Sequence, residues 1–217
     1  MNEPLLKRDI WKYIQYAREN GFINIFFSTN GILLTEKNIR NIIESGVTKI
    51  FVSLDAFTKE TYTKLRGYSG FEIIQQNILN FLQIRKELNL TYPLIRINFL
   101  KNKENISELD SFISFWQNKA DMINIQEMNE LLGTKSELYI EKQAEYRCSM
   151  PFKQLVINSW GDILPCCTMH GIQHKIGNVR DTSLQVAWNS PKINYLRDLH
   201  KNGRIKENVI CKTCIYG

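Results

Sequence analysis

The feature that most constrains the fold is a rhythm over the first 127 residues, in which stretches with apolar residues at helical spacing alternate with short apolar runs bounded by turn formers. Residues 7–20 place Ile10, Tyr13, Ile14 and Ala17 on one helical stripe, and Gly21 follows where a C-cap glycine belongs. Residues 23–28 are apolar and aromatic, with Thr29, Asn30 and Gly31 behind them, which predicts a buried strand. Thr35 can cap a second helix carrying Ile39, Ile42 and Ile43, Gly46 stops it, and residues 50–54 form the next strand. A longer helix over 71–88 shows Ile74, Ile78, Phe81 and Leu82 on one face and is followed by a strand at 94–100. Ser107 is the expected cap of a helix with Leu109, Phe112, Ile113 and Trp116 in register, before a strand at 122–126. Helices alternating with strands at this spacing predict right-handed crossovers and a parallel α/β sheet.

In the third strand Ile95, Ile97 and Phe99 alternate with Arg96 and Asn98, so one face of an otherwise covered sheet is polar. In a closed or partly closed βα barrel such a face points inward, and chemistry collects where the strands end. Ser28, Thr29 and Asn30 stand at one such end, Ser53 and Asp55 at another, and Glu127 at a third, although any one of these alone is more often a turn residue or cap. The chain opens on a helix and supplies too few strands for a barrel, so the sheet has an open edge and a preceding segment is expected. After Glu127 the rhythm is lost. The expected division is a partial barrel over 1–135 and a small separate domain over 146–217, with the boundary between 130 and 146.

All five cysteines lie after residue 147. Glu3, Lys7 and Arg8 interrupt any signal-peptide core, and no stretch approaches the roughly 20 apolar residues of a membrane span. A cytosolic protein is therefore expected, in which clustered thiols bind metal or catalyse before they form disulfides. Residues 155–157 and 163–164 flank Ser159, Trp160, Gly161 and Asp162 as a hairpin whose far end delivers Cys166. Cys211 and Cys214 form a Cys-x-x-Cys knuckle, and Cys148 supplies a fourth thiolate. Zinc and iron both accept four thiolates, but zinc ribbons usually present two such knuckles and this tail has one, so spacing favours an iron–sulfur cluster. Cys167 should point away from Cys166 and is expected to be a small buried hydrophobe. His170 and His174 stand at helical spacing for zinc, yet these two and His200 read more readily as surface or core histidines; Trp188, on the short stripe 184–188, reads as core. Redox chemistry at Cys211 and Cys214 lacks the preceding strand of a thioredoxin motif. The net charge of +6 is densest near Lys192, Arg197, Lys201, Arg204 and Lys206, a pattern that reads as a solvated face, without the interleaved aromatics of a nucleic-acid binder.

These residues together resemble radical S-adenosylmethionine (SAM) enzymes with a C-terminal SPASM or twitch domain. Cys148, Pro151, Phe152, Leu155, Ile157, Gly161, Pro165 and Cys166 are similar to that domain's hairpin, and Gly177, Asn178, Val179, Leu184, Trp188, Asn189, Ser190, Cys211 and Cys214 continue the pattern. Asn2, Glu3 and Pro4 resemble the Gly-Glu-Pro segment whose glutamate receives the SAM amino group, with asparagine in place of the glycine. Ser28, Asn30, Ser53, Asp55 and Asn98 match positions lining the SAM site, and Arg66 matches an arginine for the SAM carboxylate.

The resemblance implies an α/β fold, a partial (β/α) barrel lacking its first strands. It also implies one auxiliary 4Fe-4S cluster on Cys148, Cys166, Cys211 and Cys214, and a second 4Fe-4S cluster only in a longer parent. Such enzymes hold their catalytic cluster with Cys-x3-Cys-x2-Cys after the first strand, and no cysteine precedes Cys148 here. The expectation is the C-terminal portion of a radical SAM oxidoreductase acting on a peptide or small molecule, inactive alone, whose missing half sits in a longer frame or a separate polypeptide. The alternative is a non-catalytic iron–sulfur or zinc module serving as partner or scaffold. No membrane partner is expected.

Overall fold

The computed structural model describes residues 3–127, 147–167 and 169–216, without the side chains of Glu127, Met169, His170, Thr213, Ile215 and Tyr216. The expectations placed on Asn2, on the boundary segment 130–146 and on the side chains of Glu127 and His170 lie outside that description. The chain divides into two units, Met1–Asn129 and Glu130–Gly217.

In the first unit the strands β1 (Phe26–Thr29), β2 (Lys49–Ser53), β3 (Leu94–Lys101) and β4 (Met122–Glu127) pair in chain order, all parallel. They alternate with α1 (Ile10–Glu19), α2 (Glu36–Glu44), α4 (Phe71–Glu87) and α5 (Leu109–Trp116), as the sequence rhythm predicts, and α3 (Lys59–Arg66) is added ahead of α4. Register sets the two faces. Ile50, Val52, Ile95, Ile97 and Phe99 share one face and form a fully buried core with Ile39 and Ile42 of α2, Ile74, Ile78 and Phe81 of α4, and Phe112 and Trp116 of α5. The opposite face carries Ser28, Phe51, Ser53, Arg96, Asn98 and Asn124, because alternate strand residues point to opposite sides. The sheet is thus apolar toward its helices and polar on the other side.

Two details depart from the sequence reading. Helix α3 was not expected, since Tyr62 is its only buried residue and leaves no stripe to read; it forms because the Thr58 hydroxyl caps its start and Gly67, at φ 78°, ends it. Ser107 does not cap α5, since it lies inside a 3-10 turn, Ile106–Glu108. Glu108 instead reaches back to α3, where its carboxylate accepts from the Phe57 and Thr58 amides (2.7 and 3.2 Å) and from both the Thr58 and Thr61 hydroxyls. Burial pushes that carboxyl up, but the four donors outweigh it and hold it below the usual carboxylate range.

The second unit contains α6 (Met150–Lys153), β5 (Val156–Ile157), β6 (Asp162–Leu164), a 3-10 segment Met169–His174, β7 (Gly177–Asn178), α7 (Leu184–Trp188), α8 (Pro191–Lys201) and α9 (Val209–Tyr216). The expected hairpin is β5–β6, and β7 adds a third antiparallel strand too short to read from sequence. Asn158 organises the turn by accepting from the Trp160 and Asp162 amides at 3.0 and 2.9 Å. Gly161 is required there: its φ is 82°, and a Cβ would stand 3.1 Å from Asn178 Oδ1.

The basic run is not uniformly a solvated face. Arg197 donates to the Pro151 and Trp188 carbonyls at 2.9 and 2.8 Å and lies 4.2 Å from the Trp188 ring centroid, tying α6, α7 and α8 together. Trp188 is consequently half-buried under a guanidinium rather than part of an apolar core. Among the described residues no helix is long and apolar enough to cross a membrane.

Candidate functional site

The C-terminal ends of the parallel strands gather most of the polar residues singled out in the first unit. Glu3 enters as the cap of the 3-10 turn Pro4–Leu6, accepting from the Leu5 amide at 3.1 Å. Its Oε1 also accepts from the Thr29 hydroxyl at 2.8 Å, and its Oε2 from the Asn30 amide at 2.8 Å, so the carboxylate is pinned to the end of β1. The loop beyond is fixed from behind. Asn77 of α4 donates to the Gly31 and Ile32 carbonyls at 2.9 and 3.1 Å, and a Cβ on Gly31 would meet Ile74 at 2.8 Å, at a φ of 84°. The Asn30 side chain is spent on an Asx turn to the Ile32 amide, and Ser28 is exposed on the polar face.

A second knot stands at the ends of β2 and β3. Asp55, at φ 57°, is nearly buried; one of its carboxylate oxygens accepts from the Leu100 amide at 2.8 Å and the other is ion-paired with Arg66. Asn105, fully buried, holds the Asp55 carbonyl at 2.9 Å. Ser53 is level with Asn98, whose side-chain oxygen accepts from Asn124 at 3.2 Å. Asp55 occupies one edge of the Arg66 guanidinium, a group with five donors, and the side chain stays 28% exposed. The row therefore offers a pinned carboxylate able to receive a cation and a guanidinium able to receive an anion. Sequence reasoning placed Thr29 at a strand end without its role as donor and missed Asn105 and Asn124; of the latter two only Asn124 carried a signal, its place in the polar alternation of β4.

In the second unit Cys148, Cys166, Cys211 and Cys214 are all half-buried, whereas Cys167 is exposed. Burial of Cys167 was the wrong expectation, since it sits on a bend past the end of β6 rather than on a covered strand. Burial first, and then the neighbouring Cys166, Cys148 and Cys214, together push the Cys211 thiol up to about 12. Those three thiols are thus its electrostatic neighbours, and Cys167 is not among them. The Cys211 amide donates to Asn208 Oδ1 at 3.0 Å, and His174 Nε2 lies 3.6 Å from Cys211 Sγ. His200, buried, receives the Cys148 amide on Nδ1 at 3.4 Å and reads as a core histidine. Gly171 presses on Cys166 so closely that a Cβ would lie 2.7 Å from its carbonyl oxygen and from its Sγ.

Among the described residues no group of three or more His, Cys, Asp or Glu side chains stands in the arrangement that would hold a single metal ion. Four half-buried thiols, three of them electrostatic neighbours of Cys211, are a donor set of the chemistry that an iron–sulfur group takes.

A parallel βα sheet with a polar row at its strand ends, joined in one chain to a four-thiol unit, defines a class of cofactor-dependent α/β proteins. The chain belongs to the radical SAM superfamily, whose family model matches residues 1–114, and an iron-sulfur cluster-binding domain, SPASM, matches residues 148–215. These two domains imply SAM and iron–sulfur chemistry. The chain is 29% identical over 136 residues to a probable GTP 3',8-cyclase of Methanocaldococcus jannaschii, covering 63% of this chain and 42% of that protein. It is 28% identical over 116 residues to one of Saccharolobus islandicus, covering 54% and 35%. It therefore spans about two-fifths of the length of these curated relatives. In fold it is similar to Streptococcus suis SuiB bound to the precursor peptide SuiA (TM-score 0.67, 18% identity, 90% of this chain and 54% of that one). It is also similar to BtrN in complex with AdoMet and 2-DOIA (TM-score 0.56, 19% identity, 97% and 68%).

Proposed function

We propose that this chain is the SAM-binding and auxiliary-cluster portion of a radical SAM oxidoreductase that acts on a peptide or a small molecule. The observation that carries the reading is the pair of knots at the strand ends, a carboxylate held by Thr29 and Asn30 and a guanidinium held by Asp55, on the same chain as four thiols. Glu3 receives the SAM ammonium, Arg66 its carboxylate, and Ser28, Asn30, Ser53, Asp55 and Asn98 shape the remainder of that site. Cys148, Cys166, Cys211 and Cys214 hold one auxiliary 4Fe-4S cluster, with Gly171 keeping Cys166 in place. SAM bound beside a reducing iron–sulfur cluster would supply the radical chemistry that such a site supports. Residues 1–147 contain no cysteine, so turnover requires thiolates from elsewhere, on a longer polypeptide or a partner chain, and this chain alone is inactive. The substrate classes follow the relatives, a peptide for SuiB, a small molecule for BtrN and a nucleotide for the cyclases.

Equilibrium dialysis against labelled SAM tests this. The chain should bind SAM, and Glu3→Gln and Arg66→Met should each weaken binding about tenfold or more, roughly the worth of one charge-assisted contact. Unchanged binding in both variants would remove the assignment.

A further inference from the structure

Arg96, on the polar face of the first unit's sheet, is a cation that the SAM contacts do not use. We propose that Arg96 anchors an oxyanion of the substrate, a carboxylate or a phosphate, on that face. The inference rests on the reading that this face is the ligand-facing side of the sheet.

Arg96 lies in the middle of β3, level with Phe51 and two residues before Asn98, so its Cα stands about 6.6 Å down the strand from the row at the strand ends. Its guanidinium carbon sits 3.5 Å from the Phe51 ring centroid. Stacking on an aromatic face holds the guanidinium plane against the ring and leaves hydrogen bonding to its edges. Arg40, Arg66 and Arg85 each hold a carboxylate, of Glu36, Asp55 and Asp121 respectively. Arg96 differs. Among the described residues no carboxylate pairs with it, and its Nε is sealed from solvent without a hydrogen-bond acceptor.

A guanidinium cannot shed its charge to relieve this, and an oxyanion bound at its edge would supply the missing acceptor. Two parallel N–H bonds suit a carboxylate or phosphate oxygen pair. The SAM carboxylate is the less suitable occupant, because Arg66 already stands beside the SAM row while Arg96 lies deeper along the strand.

The test uses the chain as it is, titrated calorimetrically at low salt with inorganic pyrophosphate and, separately, succinate. At least one probe should bind, and the tighter one identifies the oxyanion. Arg96→Met, which keeps an apolar stem on Phe51, should weaken that probe about tenfold or more, the cost of one lost bidentate contact. Arg40→Met, which removes an exposed arginine on α2, should leave it unchanged, and SAM binding by Arg96→Met should also be unchanged. If Arg96→Met does not fold, as judged by circular dichroism, Arg96→Lys decides: charge without the fork should still weaken the probe, by less. Equal probe binding by the wild type and the folded Arg96 variant, or no binding of either probe to the wild type, overturns the inference. So does a loss confined to SAM, which would make Arg96 a SAM contact. Failure of the wild type to bind SAM is a different result and removes the reading of the sheet itself.

Discussion

The two units are built on different sources of order. The first buries a continuous apolar layer, with Ile50, Val52, Ile95, Ile97 and Phe99 closed under α2, α4 and α5, and its ligand groups are attached afterwards by hydrogen bonds at the strand ends. The second has strands of two or three residues, and among its described residues the buried apolar side chains are Pro151, Ile163, Leu164, Pro165, Ala187, Ile193, Leu196, Leu199 and Ile205. A unit that cannot bury enough apolar surface depends on staples, and a metal group is one of the strongest. On the proposed reading, the site in the first unit is a consequence of the fold, whereas a group held by the four thiols would be part of what makes the second unit's fold.

The largest effect should come from removing metal. Chelation, or Cys211→Ala, should melt the second unit while leaving the first intact, read as loss of hydrogen-exchange protection confined to residues 147–216. Equal protection in both states would break the comparison. Next in size, Phe81→Ala opens a cavity in the fully buried core of the first unit and should cost about 3–5 kcal/mol in urea unfolding, with cluster content per folded chain unchanged. Gly171→Ala should act in the opposite unit: the added Cβ collides with the Cys166 backbone and Sγ, so iron retention should fall with little change in the first unit's melting.

A smaller effect is expected at Glu108. Glu108→Gln weakens the charge-assisted cap of α3 and should cost about 1–3 kcal/mol. The pH dependence has a definite sign. The folded carboxyl is held below its unfolded value of about 4.3, so its contribution is complete above that pH and is lost as pH falls through the lower folded value. Least of all, Asp162, whose carboxyl is lowered to about 2 by Lys175, then Asn178 and Asn158, should give the hairpin a parallel acid sensitivity between about pH 4 and 2, followed by NMR of β6 amides.

Much of the first unit was legible because helical and strand periods leave different apolar spacings. The alternation of Arg96 and Asn98 with Ile95, Ile97 and Phe99 correctly announced a two-faced sheet. Helix α3 was not legible, since it is held by Thr58 and by a carboxylate some fifty residues away at Glu108 and not by an apolar stripe. The same long-range bonding moved Ser107 out of its expected role. In the second unit the hairpin could be read from its turn residues, but β7 is held only by pairing to β6, which no local pattern records. Cys167 was misplaced because its neighbour's strand ends before reaching it. His174 beside Cys211, and Gly171 against Cys166, are juxtapositions made by the 3-10 segment's return past the hairpin, and neither spacing nor composition signals them.

The central claim is that the four thiols hold a cluster and not a lone ion. It is tested most directly by measuring iron, acid-labile sulfide and zinc, with the visible absorbance, on the chain purified without oxygen. The account predicts about four iron and four sulfide per chain, as four thiolates on one cubane imply; one zinc without sulfide would contradict it and leave a structural metal module.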